Sequence, residues 1–176
     1  MEINIRPVTP ATCPLYCNLG IKAYKEHYLH LWKNSDPSPY IQKSFTMDMV
    51  NSELKDSSSY LFLIYSGDKA VGILKIIKDA SIAPYSSKQA IFLEKIYLLN
   101  EYSGKGLGGH VLSWVETYSL NSNKKILWLE TMQKGQALNF YLKNDFKILR
   151  AKNHPMKEVL LDHKPMYVLF KKLKNT

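Results

Sequence analysis

Apolar residues along this chain recur with two periods, and the places where one period gives way to the other outline the elements. Ile3-Asn4-Ile5-Arg6-Pro7-Val8 alternates and predicts a first strand, ended by Pro7 and Pro10. Residues 15–32 carry apolar positions at helical spacing, Asp36-Pro37-Ser38-Pro39 breaks them, and residues 40–54 predict a second helix. Residues 60–65 and 70–77, joined by Ser66-Gly67-Asp68-Lys69, carry a hairpin signal, and residues 79–88 read as a loop. Residues 91–99 form a dense β-branched and aromatic run with Glu94 and Lys95 as its polar interruptions. A glycine-rich turn follows, and Val111, Leu112, Trp114, Val115 and Tyr118 then recur at helical spacing from Leu107. Strands over 125–130, 146–150 and 166–170 and a helix over 135–143 complete the chain, while 153–163 resists assignment. The resulting order, β-α-α-β-β-β-α-β-α-β-β, predicts one α/β domain over residues 1–176, a mixed sheet with helices on both faces.

The turn between the central strand and the central helix carries the chemistry. Gly104, Gly106, Gly108 and Gly109 sit at a helix N-terminus, where unpaired amides and the positive end of the helix dipole favour a diphosphate. A Walker loop is excluded, because His110 and not Lys-Ser/Thr follows the last glycine. The dinucleotide fingerprint is present literally as Gly104-x-Gly106-x-x-Gly109, and Glu130 lies about 20 residues on, as that motif asks. Its context is wrong, since Asn100-Glu101-Tyr102-Ser103 separates the glycines from the strand.

The run from Ile96-Tyr97-Leu98 to Ser103-Gly104-Lys105-Gly106-Leu107-Gly108 resembles motif A of the GNAT (GCN5-related) N-acetyltransferase family, with Ser103 where Gln or Arg is usual. Gln136-Ala137-Leu138-Asn139-Phe140-Tyr141 followed by Asp145-Phe146 resembles the family's motif B, with Lys134 for its Asn and Asp145 for its Gly. The resemblance spans essentially the full length and implies the GNAT fold, with acetyl-CoA as co-substrate and direct attack by a primary amine in a ternary complex. It further implies a pyrophosphate held by Ser103, Gly104, Lys105, Gly106, Leu107, Gly108 and Gly109, and a pantetheine paired with the backbone of Ile96, Tyr97 and Leu98. The thioester carbonyl would be polarised by a main-chain N–H near Leu98, where family strands bulge. Tyr141 takes the place of the general acid, and the first two helices would line the acceptor pocket through Tyr24, Glu26 and Tyr28. The stretches 92–97 and 124–129 are most similar to bacterial spermidine/spermine N-acetyltransferases, which makes a polyamine the expected amine. A protein lysine or N-terminus, an antibiotic-like amine, and a non-catalytic acyl-CoA-binding regulator remain alternatives.

That reaction sets its own demands. An alkylammonium of pKa ~10.4 sits roughly 3.4 units above neutrality, so presenting it as free amine at pH 7 costs about 4.6 kcal/mol. Glu94 is the candidate base, because strict alternation puts it on the strand face of Ile96 and Leu98. A structural ion pair explains the same residue. The position two residues earlier, which holds the base in some relatives, is Phe92, so water can stand in for a side chain. The Tyr141 phenol, ordinarily near ~10, lies about 1.5 units above a thiol, so protonating the leaving thiolate is uphill by roughly 2 kcal/mol.

Composition then trims the alternatives. With 45% hydrophobic and 22% charged residues among 176, the chain has the balance of a globular domain. A net charge of +9 suits anion binding, but Lys171-Lys172-x-Lys174 reads as a solvated tail and no nucleic-acid motif is present, so no nucleic-acid partner is expected. The start MEINIRP lacks the charged and apolar regions of a leader, and no apolar run reaches the ~20 residues of a membrane span. A cytoplasmic protein without membrane contact is expected, with a homodimer admissible as its assembly. Cys13 and Cys17 match no zinc spacing and the five histidines offer no ligand set, so no metal is expected.

Overall fold

The computed structural model describes residues 3–174. Among these, five α-helices flank a seven-stranded sheet of order β1-β2-β3-β4-β5-β7-β6. The strands are β1 (Ile3–Pro7), β2 (Ser59–Ser66), β3 (Lys69–Ile77), β4 (Ala90–Leu98), β5 (Ile126–Met132), β6 (Lys147–Asn153) and β7 (Pro165–Lys172). The helices are α1 (Cys13–Tyr28), α2 (Ser38–Ser44), α3 (Met47–Lys55), α4 (Leu107–Asn121) and α5 (Gln136–Lys143). Strands β1 to β4 form an antiparallel run, β5, β7 and β6 another, and β4 with β5 is the parallel junction between them.

Strand alternation divides the core between the two faces. Leu61 and Leu63 of β2 pack with Tyr16, Ala23 and Tyr24 of α1 and Val50 of α3, while Phe62 and Ile64 pack with Val111, Leu112 and Val115 of α4. Each large apolar side chain so covered contributes roughly 2 kcal/mol. A smaller cluster of Ala90, Ile126, Trp128 and Val168 closes the foot of the β4–β5 junction, where the Trp128 indole donates to the Ala80 carbonyl at 2.9 Å and stacks on Phe92 at 4.1 Å.

The single helix expected over 40–54 is two. Thr46 is extended (φ −78, ψ 152), its hydroxyl accepts from the Met49 amide, and α3 starts afresh behind this cap, while Phe45 turns into the core at 3% exposure. The periodicity ran through the break because Phe45 is itself apolar. Helix α1 stops at Tyr28, short of the expected end, and continues as two 3-10 turns, Leu29–Leu31 and Lys33–Ser35. The unassigned 153–163 segment is pinned to those turns by a Trp32–Val159 bridge and the bonds Lys33 N–H to Glu158 O and Leu160 N–H to Leu31 O.

Candidate active site

Strand β4 pairs with β5 only where Ala90–Phe92 lie beside Ile126–Trp128, and beyond that point the two strands part. On its other side β4 stays paired with β3, with Lys75 opposite Lys95 and Ile76 opposite Leu93, so Glu94 is an extra residue in a bulge. The bulge expected near Leu98 therefore lies at Glu94, and it changes which way the strand faces. Ile91, Leu93, Ile96 and Leu98 belong to the α4 side of the core, while Tyr97 and Leu99 belong to the α1 side. Glu94 goes with the latter, because Lys75 and Lys95 hold it there, and Lys95 lies 5.9 Å from the centre of the Phe45 ring. The expectation that Glu94 shares a face with Ile96 and Leu98 is thus corrected: the alternation it assumed is interrupted at Glu94 itself.

Glu94 is one member of a four-residue ionic network. Lys75 reaches Glu53 at 2.6 Å and Glu94 at 2.9 Å, and Lys95 also pairs with Glu94. Both lysines are buried, at 5% and 4% exposure. Burial raises the Glu94 pKa, but Lys95 and Lys75 outweigh it and hold the carboxyl below its ordinary value. Sequence reasoning missed Lys75, the hub of this network, because a buried lysine carries no local mark and its partners Glu53 and Glu94 lie on α3 and β4.

At the upper end of β4, Leu99 donates to the Val71 carbonyl at 2.9 Å, so by antiparallel alternation the backbone groups of Leu98 and Ile96 turn away from β3 toward the gap. The Leu98 carbonyl is met there by His27 Nε2 at 2.9 Å. A carbonyl can only accept, so Nε2 carries the hydrogen and donates. Two residues on, the Asn100 amide donates to Glu26 Oε2 at 2.7 Å.

The glycine turn follows. Gly104 and Gly106 have φ of +71 and +82, a left-handed backbone that favours glycine. Among the described residues no backbone carbonyl accepts from the amides of Gly104 to Gly108; the first to be taken is Gly109, which donates to Gly106 O at 3.1 Å. A Cβ built at Gly104, Gly106 or Gly109 meets nothing within 4 Å, so open space lies over free amides at the start of a 15-residue helix with no acidic residue in its first turn. Lys105 is exposed above the Tyr102 ring at 6.0 Å, Ser103 is half-buried, and Leu107 anchors the turn at 1% exposure. A diphosphate fits this geometry: donors, dipole and room coincide.

The Tyr141 ring stands on α5 between Phe140 at 5.1 Å and Phe146 at 5.5 Å. Burial pushes its phenol well above the ordinary value, and the neighbouring Tyr28 adds to the shift. Tyr28 is itself raised to about 12 by burial and by Tyr40, which brings it and Tyr141 into the same electrostatic environment. The three expected acceptor residues separate. Tyr28 is half-buried and reaches this region, Glu26 is spent on Asn100, and Tyr24 is core: it is 4% exposed, stacked on Tyr40 at 4.3 Å, with its hydroxyl accepting from the Trp32 indole at 3.0 Å. The Tyr24 expectation is corrected, since an aromatic buried among aromatics offers a substrate no surface. Tyr97 bonds Tyr40 hydroxyl to hydroxyl at 2.7 Å, and Lys134 is exposed. On β5, Glu130 is paired with Lys152 at 2.7 Å, and burial together with Lys152 lowers the pKa of His154 nearby. No helix among the described residues is long and apolar enough to cross a membrane, and no three His, Cys, Asp or Glu side chains there are grouped as metal ligands.

The same architecture recurs in solved proteins. The PaiA N-acetyltransferase of Thermoplasma acidophilum, crystallised in complex with coenzyme A, superposes with a TM-score of 0.75 at 17% identity, over 98% of this chain and 99% of that one. The spermidine N-acetyltransferase SpeG of Vibrio cholerae, in a mutant form, gives 0.72 at 13% identity over 98% and 94%. At these identities the likeness is one of fold. A curated relative, an uncharacterized N-acetyltransferase in the pepI 3' region of Lactobacillus delbrueckii subsp. lactis, is 24% identical over 107 residues, 60% of this chain, and the chain spans 62% of that relative's length. The model of the acetyltransferase (GNAT) family matches residues 23–146, a stretch that runs from α1 through the bulged strand and the glycine turn to the end of motif B, and this chain belongs to that family.

Proposed function

We propose that the protein transfers an acetyl group from acetyl-CoA to a primary amine by direct attack in a ternary complex. The observation that carries this reading is the β4–β5 ladder that stops at Phe92 and Trp128 beside a glycine turn with free amides. Gly104 to Gly108 would hold the diphosphate, and the outward backbone of Ile96 together with the Leu98 N–H, whose own carbonyl is taken by His27, would pair with the pantetheine like an added strand. Bound acetyl-CoA supplies the acyl group as a thioester. The chain orients it, keeps water from the open side with Tyr28 and Tyr141, and offers the Tyr141 hydroxyl proton to the departing sulfur.

Glu94 serves this reaction as an anchor. A proton moving from an ammonium at ~10.4 to a carboxyl held below its ordinary 4.5 climbs about 6 units, or ~8 kcal/mol, more than the ~4.6 kcal/mol of releasing it to water at pH 7. The ammonium therefore loses its proton to bulk solvent before attack, so that it enters as the free amine, and Glu94 with its two lysines fixes the bulge. The same pairing bears on the amine. A polyamine is the subclass suggested by the sequence and by the fold likeness to SpeG, yet Glu53, Glu94 and Glu130 each already face a lysine. Their field is spent locally, which favours an acceptor with a single cation over a polycation.

Titration calorimetry with acetyl-CoA, followed by thiol release over a panel of monoamines, polyamines and peptides, tests both levels. Binding heat and turnover with amines are expected, with monoamines ahead of spermidine; absence of binding heat would sink the proposal. On this reading the protein works where acetyl-CoA is available, in the cytoplasm.

A further inference from the structure

We infer that Glu26 and His27, the residues before the end of α1, form a two-point clamp that positions the diphosphate-binding turn. The inference rests on the acetyl-transfer reading for its ligand but on the fold for its geometry. His27 donates to the Leu98 carbonyl at 2.9 Å and Glu26 accepts from the Asn100 amide at 2.7 Å, so adjacent residues grip alternate residues where β4 leaves the sheet. Both ends of the grip are firm. Ala23 and Tyr24, one turn back on α1, are 0% and 4% exposed, and Leu99, between the two gripped residues, is 4% exposed and bonded to Val71.

The hold passes directly into the turn. The Asn100 carbonyl accepts from the Ser103 amide at 3.0 Å, and the Leu99 carbonyl accepts from the Tyr102 amide at 2.9 Å. Moving Asn100 therefore moves Ser103, the residue before Gly104. From Gly104 to Leu107 the chain has no buried side chain of its own until Leu107. The turn is thus held between Leu107 downstream and, upstream, the α1 clamp and the half-buried Tyr102, which packs against the core, and the clamp fixes the peptides from which the turn's free amides are presented. His27 and Glu26 are positioning residues, acting on the ligand through the peptides they fix.

The test uses the full chain and two readouts. In calorimetry with acetyl-CoA, His27→Ala and Glu26→Ala should each weaken binding about tenfold, the size of one lost hydrogen bond. His27→Gln, which keeps a side-chain N–H donor, and Glu26→Gln, which keeps an acceptor, should recover most of it, and the loss should fall on the affinity for acetyl-CoA more than on kcat. Without any ligand, amide hydrogen exchange at Asn100 and Ser103 should quicken in the alanine variants and return toward the parent rate in the glutamine variants. Unchanged exchange at those amides, or glutamine variants as impaired as the alanine ones, would overturn the clamp. A parent protein that gives no heat with acetyl-CoA would refute the acetyl-transfer reading and leave the exchange result to decide the clamp.

Discussion

Tyr141 shows how a residue's surroundings decide what its chemistry can be. With its phenol raised by burial and by Tyr28, the side chain stays protonated across the range in which an amine would be acetylated, as a proton donor must. The direction also fixes its effect on folding: a phenol whose pKa is raised favours the folded state's neutral form, so stability is lost only as pH climbs above the ordinary value of ~10. Tyr141→Phe should lower kcat about a hundredfold while the acetyl-CoA affinity measured by calorimetry changes less than about twofold. Tyr141 could be singled out as a candidate from sequence because it sits in a motif, and Gly104 and Gly106 because a left-handed backbone over open space favours glycine. His27 could not be found that way. Its partner is a carbonyl 71 residues away, and nothing in Tyr24-Lys25-Glu26-His27-Tyr28 distinguishes a histidine that bonds from one that faces water.

Among the elements, α4 was legible almost to the residue, since its apolar spacing and its glycines mark the start at Leu107. Those glycines are not equivalent. Gly106 needs its left-handed backbone, whereas Gly109 lies inside the helix with open space where a Cβ would be. Gly109→Ala should then stabilise the protein by about 0.5–1 kcal/mol in urea unfolding, through helix propensity, and at the same time weaken acetyl-CoA binding by placing a methyl among the free amides. A variant that gains stability and keeps its affinity would separate Gly109 from the site. The bulge in β4 was not legible. Period-two alternation carries no sign of an inserted residue, because Glu94-Lys95 is as well explained by one polar residue on each face as by two on the same face. The α2–α3 break carried a sign that apolar periodicity concealed: Thr46 before Met47-Asp48 is an N-cap with an acid in the first turn.

For the molecule as a whole, the mixed sheet and its two helical layers followed from element order, while the pairing of its charges did not. A formal +9 describes the surface, yet Lys75 and Lys95 lie inside and are compensated by Glu53 and Glu94. Because Glu94 is held below its ordinary 4.5, its share of the stability is complete above that pH and is lost as pH falls through the lower folded value. Glu94→Gln should cost about 3 kcal/mol in urea unfolding at pH 7 by stranding Lys95. The same substitution combined with Lys95→Met should regain most of that loss, and the double variant should lose less stability than the parent as pH falls below about 4.5.

The parting of β4 from β5 has one more consequence. Two half-sheets stitched together at one end form something like a pair of tongs, whose jaws are joined across β4 and β5 only where Ala90–Phe92 meet Ile126–Trp128. A linear ligand laid between them would act as the missing rung, and the stiffness of the protein would then depend on whether it was loaded.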